Sequence, residues 1–268
     1  MAACTQARTS PPASDDGPAA VEAWGPSTQP LSPAEVDAEA ARLREALLRE
    51  ARPDADPISE LQQGWITRVQ AGVARAGLVL DRAVLLTSVD RNPDVQALAI
   101  VLARPGGTWE ILGGSRVSTG QPNRRGHFIT PTGVFLHTDA ILDWRAEGTF
   151  NEHHIRGLGL RGMRVWDFGW VQASKGWRAG GESGEIRLLL HATDPDLLEP
   201  RLGRPASLGC VRIPAAMNLF LDRHGVLDAD YERAAVDDAR FRALLLPDRT
   251  PTPLAGRALV VIDSSGPL

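Results

Sequence analysis

Apolar residues recur at two different spacings along this chain, and the change from one to the other comes near Arg91. Before it, Val36, Ala40, Leu43 and Leu47 return every three or four residues, which gathers them on one face of an α-helix. Ser32-Pro33-Ala34-Glu35 stands just ahead of them. A capping serine, a proline at the first helical position and a glutamate three residues after the cap predict a helix start there. The helix should run to about Arg52, since Pro53 and Pro57 cannot continue it. A second helix is predicted from Ser59, with Leu61, Trp65, Val69 and Val73 along one side.

Beyond Arg91 the pattern shortens to strands punctuated by glycine and proline. Residues 96–102 read as a strand, Arg104-Pro105-Gly106-Gly107 as a turn, and residues 108–112 as the hairpin partner. Phe128-Ile129 and Val134-Phe135-Leu136 flank a turn at Pro131-Thr132-Gly133, and residues 186–190 form a short buried strand ending at His191. Two helices are predicted after that. One runs from Ala215 to Asp222 with Gly225 past its end, and one from about Asp228 to Leu246, burying Tyr231, Ala235, Leu244 and Leu245. Residues 257–262 read as a closing strand. Many short strands with helices at both ends predict an α+β fold, mainly a β-sandwich-like core.

Composition narrows the function classes. A chain of 268 residues supports one good-sized core with a small accessory region. Its net charge of -4 gives no basic footprint for nucleic acid, and Lys175 is its one lysine among many arginines. Residues 1–30 are rich in Pro, Ala, Ser and Thr and are expected to be disordered. No apolar run is long enough to span a membrane. Ala2-Ala3-Cys4 looks like the scar of a cleaved lipoprotein signal, in which case Cys4 would carry a lipid; an arbitrary start to a tail is the equal alternative. The only other cysteine is Cys210, and the two are not expected to pair.

The candidate chemistry lies between His191 and Arg212. A cysteine thiol is a weak nucleophile at neutral pH, and a nearby imidazole is the usual means of drawing off its proton. A strand end carrying His191, facing a loop through Gly209 and Cys210, would bring the two together, with loop N–H groups available to an oxyanion. A lone cysteine or histidine in a globular protein is more often a structural residue; the context here argues otherwise. His191 followed by Ser207-Leu208-Gly209-Cys210-Val211-Arg212 resembles the YkuD family of L,D-transpeptidases, whose signature ends in Ser/Thr-His-Gly-Cys-hydrophobic-Arg/Asn. Ser118-Thr119-Gly120 and Thr130-Pro131-Thr132-Gly133-Val134-Phe135 are similar to that family's S-T-G and T-P-x-G-x-F elements. The resemblance spans roughly Asp90 to Pro214, and Leu208 departs from it, standing where the family carries a second histidine.

The resemblance implies a cysteine acyltransferase acting on peptidoglycan stem peptides. Cys210 would be the nucleophile and His191 the base, its ring oriented by the carbonyl of Ala192. Backbone N–H groups of Gly209 and Cys210 would hold the oxyanion, and Arg212 and Ser207 would meet substrate. The helix after Cys210 would add a positive field. The acceptor would be an amine of another stem peptide or of an outer-membrane lipoprotein, in the periplasm or cell envelope, with membrane attachment only through Cys4. No cofactor is expected and no nucleic-acid partner. With water as acceptor the same site would be an L,D-carboxypeptidase or a peptidase; with an unreactive cysteine, a non-catalytic peptidoglycan-binding module. The expected organisation is a tail at 1–30, a helical region at 31–88, a catalytic domain at 89–214 with an insertion at about 139–185, and C-terminal helices with a closing strand at 215–268. The insertion, with Trp144, Trp166, Trp170 and Trp177, would cap the cleft. His153-His154 lacks metal-ligand spacing, although a zinc site joining it to His127 and His137 is a further alternative.

Overall fold

The computed structural model describes residues 30–51, 62–178 and 181–266. Cys4, the N-terminal tail through residue 29, the prolines at 53 and 57, Ser59 and Leu61 lie outside the described residues. In chain order the described elements begin with α1 (Pro33–Glu50), α2 (Gln62–Arg75), β1 (Val84–Asp90), β2 (Ala97–Ala103), β3 (Glu110–Arg116) and β4 (Gly133–Leu136). There follow β5 (Trp144–Arg145), β6 (Arg164–Ser174), β7 (Ser183–Ala192), β8 (Val211–Ile213), α3 (Ala215–Arg223), α4 (Ala229–Asp237), α5 (Ala239–Leu244) and β9 (Ala258–Ile262).

The start of α1 is fixed by the reciprocal cap that its sequence encodes. Glu35 N–H donates to Ser32 Oγ at 3.4 Å, and Ser32 N–H donates to the Glu35 carboxylate at 2.8 Å. Val36, Ala40, Leu43 and Leu47 are all buried, and Gly113 of β3 leaves the room that Leu47 fills: a Cβ there would sit 2.3 Å from its Cδ2.

Two mixed sheets form the body. One has the order β3-β2-β1-β9-β4, with β1 and β9 parallel; the other has the order β5-β6-β7-β8, with β7 and β8 parallel. Leu85, Val89, Leu98, Ile100, Leu259 and Val261 on the first sheet and Trp166, Leu188, Leu190, Val211 and Ile213 on the second belong to one apolar cluster, so the sheets close on each other. The alternate residues Val84, Leu86, Ala99, Val101 and Val260 face the opposite way, beneath Trp65, Val69 and Val73 of α2. A sheet covered on both faces has unbroken apolar strands, which is why β1, β2 and β9 are buried at every position.

The α+β class agrees with the sequence pattern, but three expectations need correction. First, β1 lies within the segment expected to be helical through residue 88, and it is a central strand. Second, the supposed insertion at 139–185 contains β5, β6 and the start of β7, and Trp166 within it is fully buried in the main core. Third, the long C-terminal helix is two, α4 and α5. Asp238 leaves helical geometry at ψ 115° and caps α5 by accepting from Arg240 N–H. The residues it buries are Tyr231 and Phe241, while Ala235, Leu244 and Leu245 are only half-buried. The strand expected at residues 257–262 is β9, and it lies inside the first sheet, between β1 and β4.

Candidate active site

Three separated stretches of sequence meet at the loop before β8. Ser118 and Arg212 exchange backbone hydrogen bonds at 3.0 and 2.9 Å. Ser207 N–H donates to Thr119 O at 2.9 Å, and Gln121 N–H donates to Ser207 O at 3.0 Å. The Thr130 hydroxyl joins the third stretch, donating to Gly209 O at 2.8 Å and accepting from Gly120 N–H at 2.8 Å. Contact at Gly120 is so close that a Cβ would lie 1.8 Å from Phe128 O. Gly209 adopts φ +139° with Ile186 against it, a conformation only glycine tolerates easily.

This brace sets Cys210 at the head of β8. In the parallel pair, His191 of β7 lies opposite Arg212 of β8, two residues from Cys210. Side chains two apart in an extended chain, and partners in register, point to the same side. Cys210, Arg212 and His191 therefore share the face turned away from Leu190, Val211 and Ile213 in the main core. Cys210 packs there in a second cluster with Val165, Leu189 and Ala192, with Leu208, Trp144 and Leu158 against it. Trp144 and Leu158 also line a cavity of about 440 Å³ in the loops at 144–159, on the doorstep of the Cys210 cluster. Cys210 is only 1% exposed and its Sγ lies 3.6 Å from Arg187 O. Its sulfur is disulfide-bonded, and the expectation about its pairing with Cys4 lies outside the described residues.

His191 is held in one tautomer. Its Nδ1 lies 2.7 Å from the carbonyl oxygen of Ala192, and a carbonyl only accepts, so Nδ1 carries the proton and Nε2 keeps the lone pair. Burial pushes its pKa down to about 4, and Arg212 adds to the shift. The ring is thus neutral at physiological pH, able to take a proton but not to hold a standing ion pair. Arg212 is itself lowered by burial; its Nη1 donates to Ala206 O at 3.3 Å and its Nε has no partner.

Other expected roles change. Ser207 is fully buried with both hydroxyl functions taken, donating to Cys210 O at 2.5 Å and accepting from Gly209 N–H at 3.0 Å, so it braces the loop. The same bond occupies the Gly209 N–H, which removes it as an oxyanion donor. Ala215, the first residue of α3, packs against the Cys210 cluster, but its N–H is taken by the Glu199 carboxylate at 2.8 Å. The four histidines stay apart in role: His127 Nδ1 meets Ser207 O at 2.9 Å, His137 is fully buried against Asp143, and His153 and His154 are exposed. Among the described residues no group of three or more His, Cys, Asp or Glu side chains is arranged to hold a metal ion.

Two features were not legible in the sequence. The Thr130 hydroxyl belongs to a recognised stretch, but nothing local says that it bridges the other two. Arg164 sits fully buried among Asp143, Asp222 and Asp228 at 2.9, 3.6 and 3.5 Å, and its only sequence signal is an arginine inside an apolar strand. No described helix is long and apolar enough to cross a membrane. No protein-family model matches the chain and no curated protein is similar to it.

Proposed function

We propose that the chain is an L,D-transpeptidase of the YkuD type, acting in the cell envelope on peptidoglycan stem peptides through Cys210 in its reduced form. The observation that carries this is the convergence of the three stretches on the Cys210 loop, with His191 on the same face and its Nδ1 tied to the Ala192 carbonyl. His191 Nε2 takes the thiol proton as sulfur attacks the amide carbonyl between diaminopimelate and D-Ala. Because the neutral ring is the resting form, proton removal accompanies attack rather than preceding it. The C–N bond breaks, D-Ala leaves with the proton from the imidazolium, and a thioester remains. An amine of a second stem peptide, or of an envelope lipoprotein, then attacks the thioester, forms the new amide and returns the thiol. Arg212 is the cation that meets a substrate carboxylate.

A second reading has its own support: Cys210 is nearly inaccessible and disulfide-bonded, and Leu208 replaces the family's second histidine. On that basis the chain would be a non-catalytic module that binds peptidoglycan. Intact-protein mass spectrometry separates the two. After reduction with a phosphine, incubation with a carbapenem should add one acyl mass to wild type and none to Cys210→Ser. Reduced, folded wild type that takes no adduct would overturn the enzyme and leave the module. An adduct, followed by assay with tetrapeptide muropeptides, would distinguish transfer to an amine from hydrolysis.

A further inference from the structure

Arg212 also forms part of the wall of a cavity of about 370 Å³, which takes in Ser118, Thr193, Arg124, Arg201 and Arg204. Several arginines elsewhere find carboxylates, among them Arg145 with Asp222, Arg156 with Asp196, Arg187 with Asp167 and Arg249 with Asp228. The four arginines of this cavity pair with no carboxylate among the described residues. Two buried polar atoms on its wall, Arg212 Nε and Thr193 Oγ1, also lack hydrogen-bond partners. Buried polar groups are nearly always satisfied, so a pair of orphans on one cavity points to a missing acceptor. The surplus charge registers on both nearby imidazoles. Burial lowers the pKa of His127, with Arg124 and Arg212 adding to it, and Arg212 adds to the lowering of His191.

One carboxylate would offset one guanidinium and leave the rest repelling each other. A phosphate or diphosphate group carries two or more negative charges on several acceptor oxygens, and guanidinium forks match it bidentately. We propose that this cavity binds a phosphate-bearing ligand with two or more negative charges, held by Arg212 and Thr193 within and by the exposed Arg124, Arg201 and Arg204 around the opening. The site needs no thiol, although it shares Arg212 with the acyl site proposed for Cys210.

Calorimetric titration with inorganic pyrophosphate tests it, with tricarballylate as a carboxylate of comparable charge. Wild type should bind one pyrophosphate per chain, more weakly as salt is added, and Cys210→Ser should bind it equally well. Arg201→Gln/Arg204→Gln changes exposed side chains only, should fold normally by circular dichroism, and should lose at least ~10-fold in affinity, a loss typical of removing charge-assisted contacts. Absence of pyrophosphate binding to wild type, or unchanged affinity in the folded double variant, would overturn the site. Tricarballylate binding as tightly as pyrophosphate would overturn the assignment to phosphate. Because Cys210→Ser serves as well as wild type, failure here is distinct from failure of the carbapenem adduct.

Discussion

Two buried polar regions flank the four-stranded sheet, and they handle charge in opposite ways. Around Arg164 every charge is answered. Asp143 accepts from Arg164 and meets His137 at 2.9 Å, Asp222 also meets Arg145 at 2.8 Å, and Asp228 also meets Arg249 at 2.8 Å. Tyr231 stacks on His137 and donates to Ile141 O, and its hydroxyl is held well above the ordinary phenol range by burial and by Asp143. Around Arg212 the reverse holds: a half-buried guanidinium meets one carbonyl, and orphan atoms remain. The first region ties the loop at 137–143 to the C-terminal helices and answers its charges from within, although Arg164 Nη1 makes no hydrogen bond and meets Asp222 only at 3.6 Å. The second is complete only with something bound. Buried charge alone therefore does not mark a functional site; buried charge without its complement does.

Removing the central cation should break this contrast most sharply. Arg164→Met takes the shared cation from three buried carboxylates and should cost about 3–5 kcal/mol, read as a fall in the urea midpoint. Arg212→Met should cost less than about 1 kcal/mol or even stabilise the fold, because an unpaired buried cation is replaced by an apolar chain, while pyrophosphate binding disappears. Equal losses from the two substitutions would abolish the distinction.

The two buried histidines give opposite dependences on pH. His191 is lowered to about 4, so the unfolded chain takes up its proton near the ordinary imidazole value of 6.5 while the folded chain does so only near 4. Its contribution, about 3 kcal/mol, is present above pH 6.5 and is lost as pH falls toward 4. Burial alone would lower His137 too, but the Asp143 carboxylate beside it raises it. Its contribution is present below the unfolded value and is lost as pH rises through the raised one. Chemical denaturation across pH 4–8 should show His191→Asn removing the acid-side loss relative to wild type, and His137→Asn removing an alkaline-side one. Acylation of reduced Cys210 should likewise persist to about pH 4–5, since the base form of His191 survives there.

Smaller effects sharpen the picture at the edges. Thr130→Val removes the hydroxyl between Gly120 N–H and Gly209 O and should cost about 1–3 kcal/mol in stability while slowing carbapenem acylation. Ser32→Ala, far from both regions, should cost only about 1 kcal/mol of helix capping and leave acylation and pyrophosphate binding unchanged.

How much of this was legible in the sequence follows from the range of each interaction. The α1 cap and its apolar face are written within a few residues, and so were read directly. The short strands around the Pro131-Thr132-Gly133 turn were placed for the same reason. β1 escaped because a sheet covered on both sides loses the alternation that marks a strand, and Val84-Leu85-Leu86 then carries no period. Trp166 and its neighbours were assigned to a covering insertion because burial in the core and burial at a cleft look alike in composition. At the candidate site the sequence motifs single out Cys210, His191, Ala192 and Arg212. The bracing role of Ser207 is not legible, because the loop in which it bonds the Gly209 N–H is held by donation from Ser207 N–H to Thr119 O, far away in sequence.

The position of β9 has a consequence for the order in which the molecule assembles. β1, β2 and β3 can form a meander as they emerge, each beside its predecessor in the chain. β4 pairs with β9 alone, and β9 is the last strand described. During synthesis the first sheet therefore waits with one strand unmated and an open edge on β1 until the C-terminal residues leave the ribosome. Such long-range closure is slow and exposes strand edges meanwhile, so the nascent chain should be most prone to aggregation just before residues 258–262 arrive.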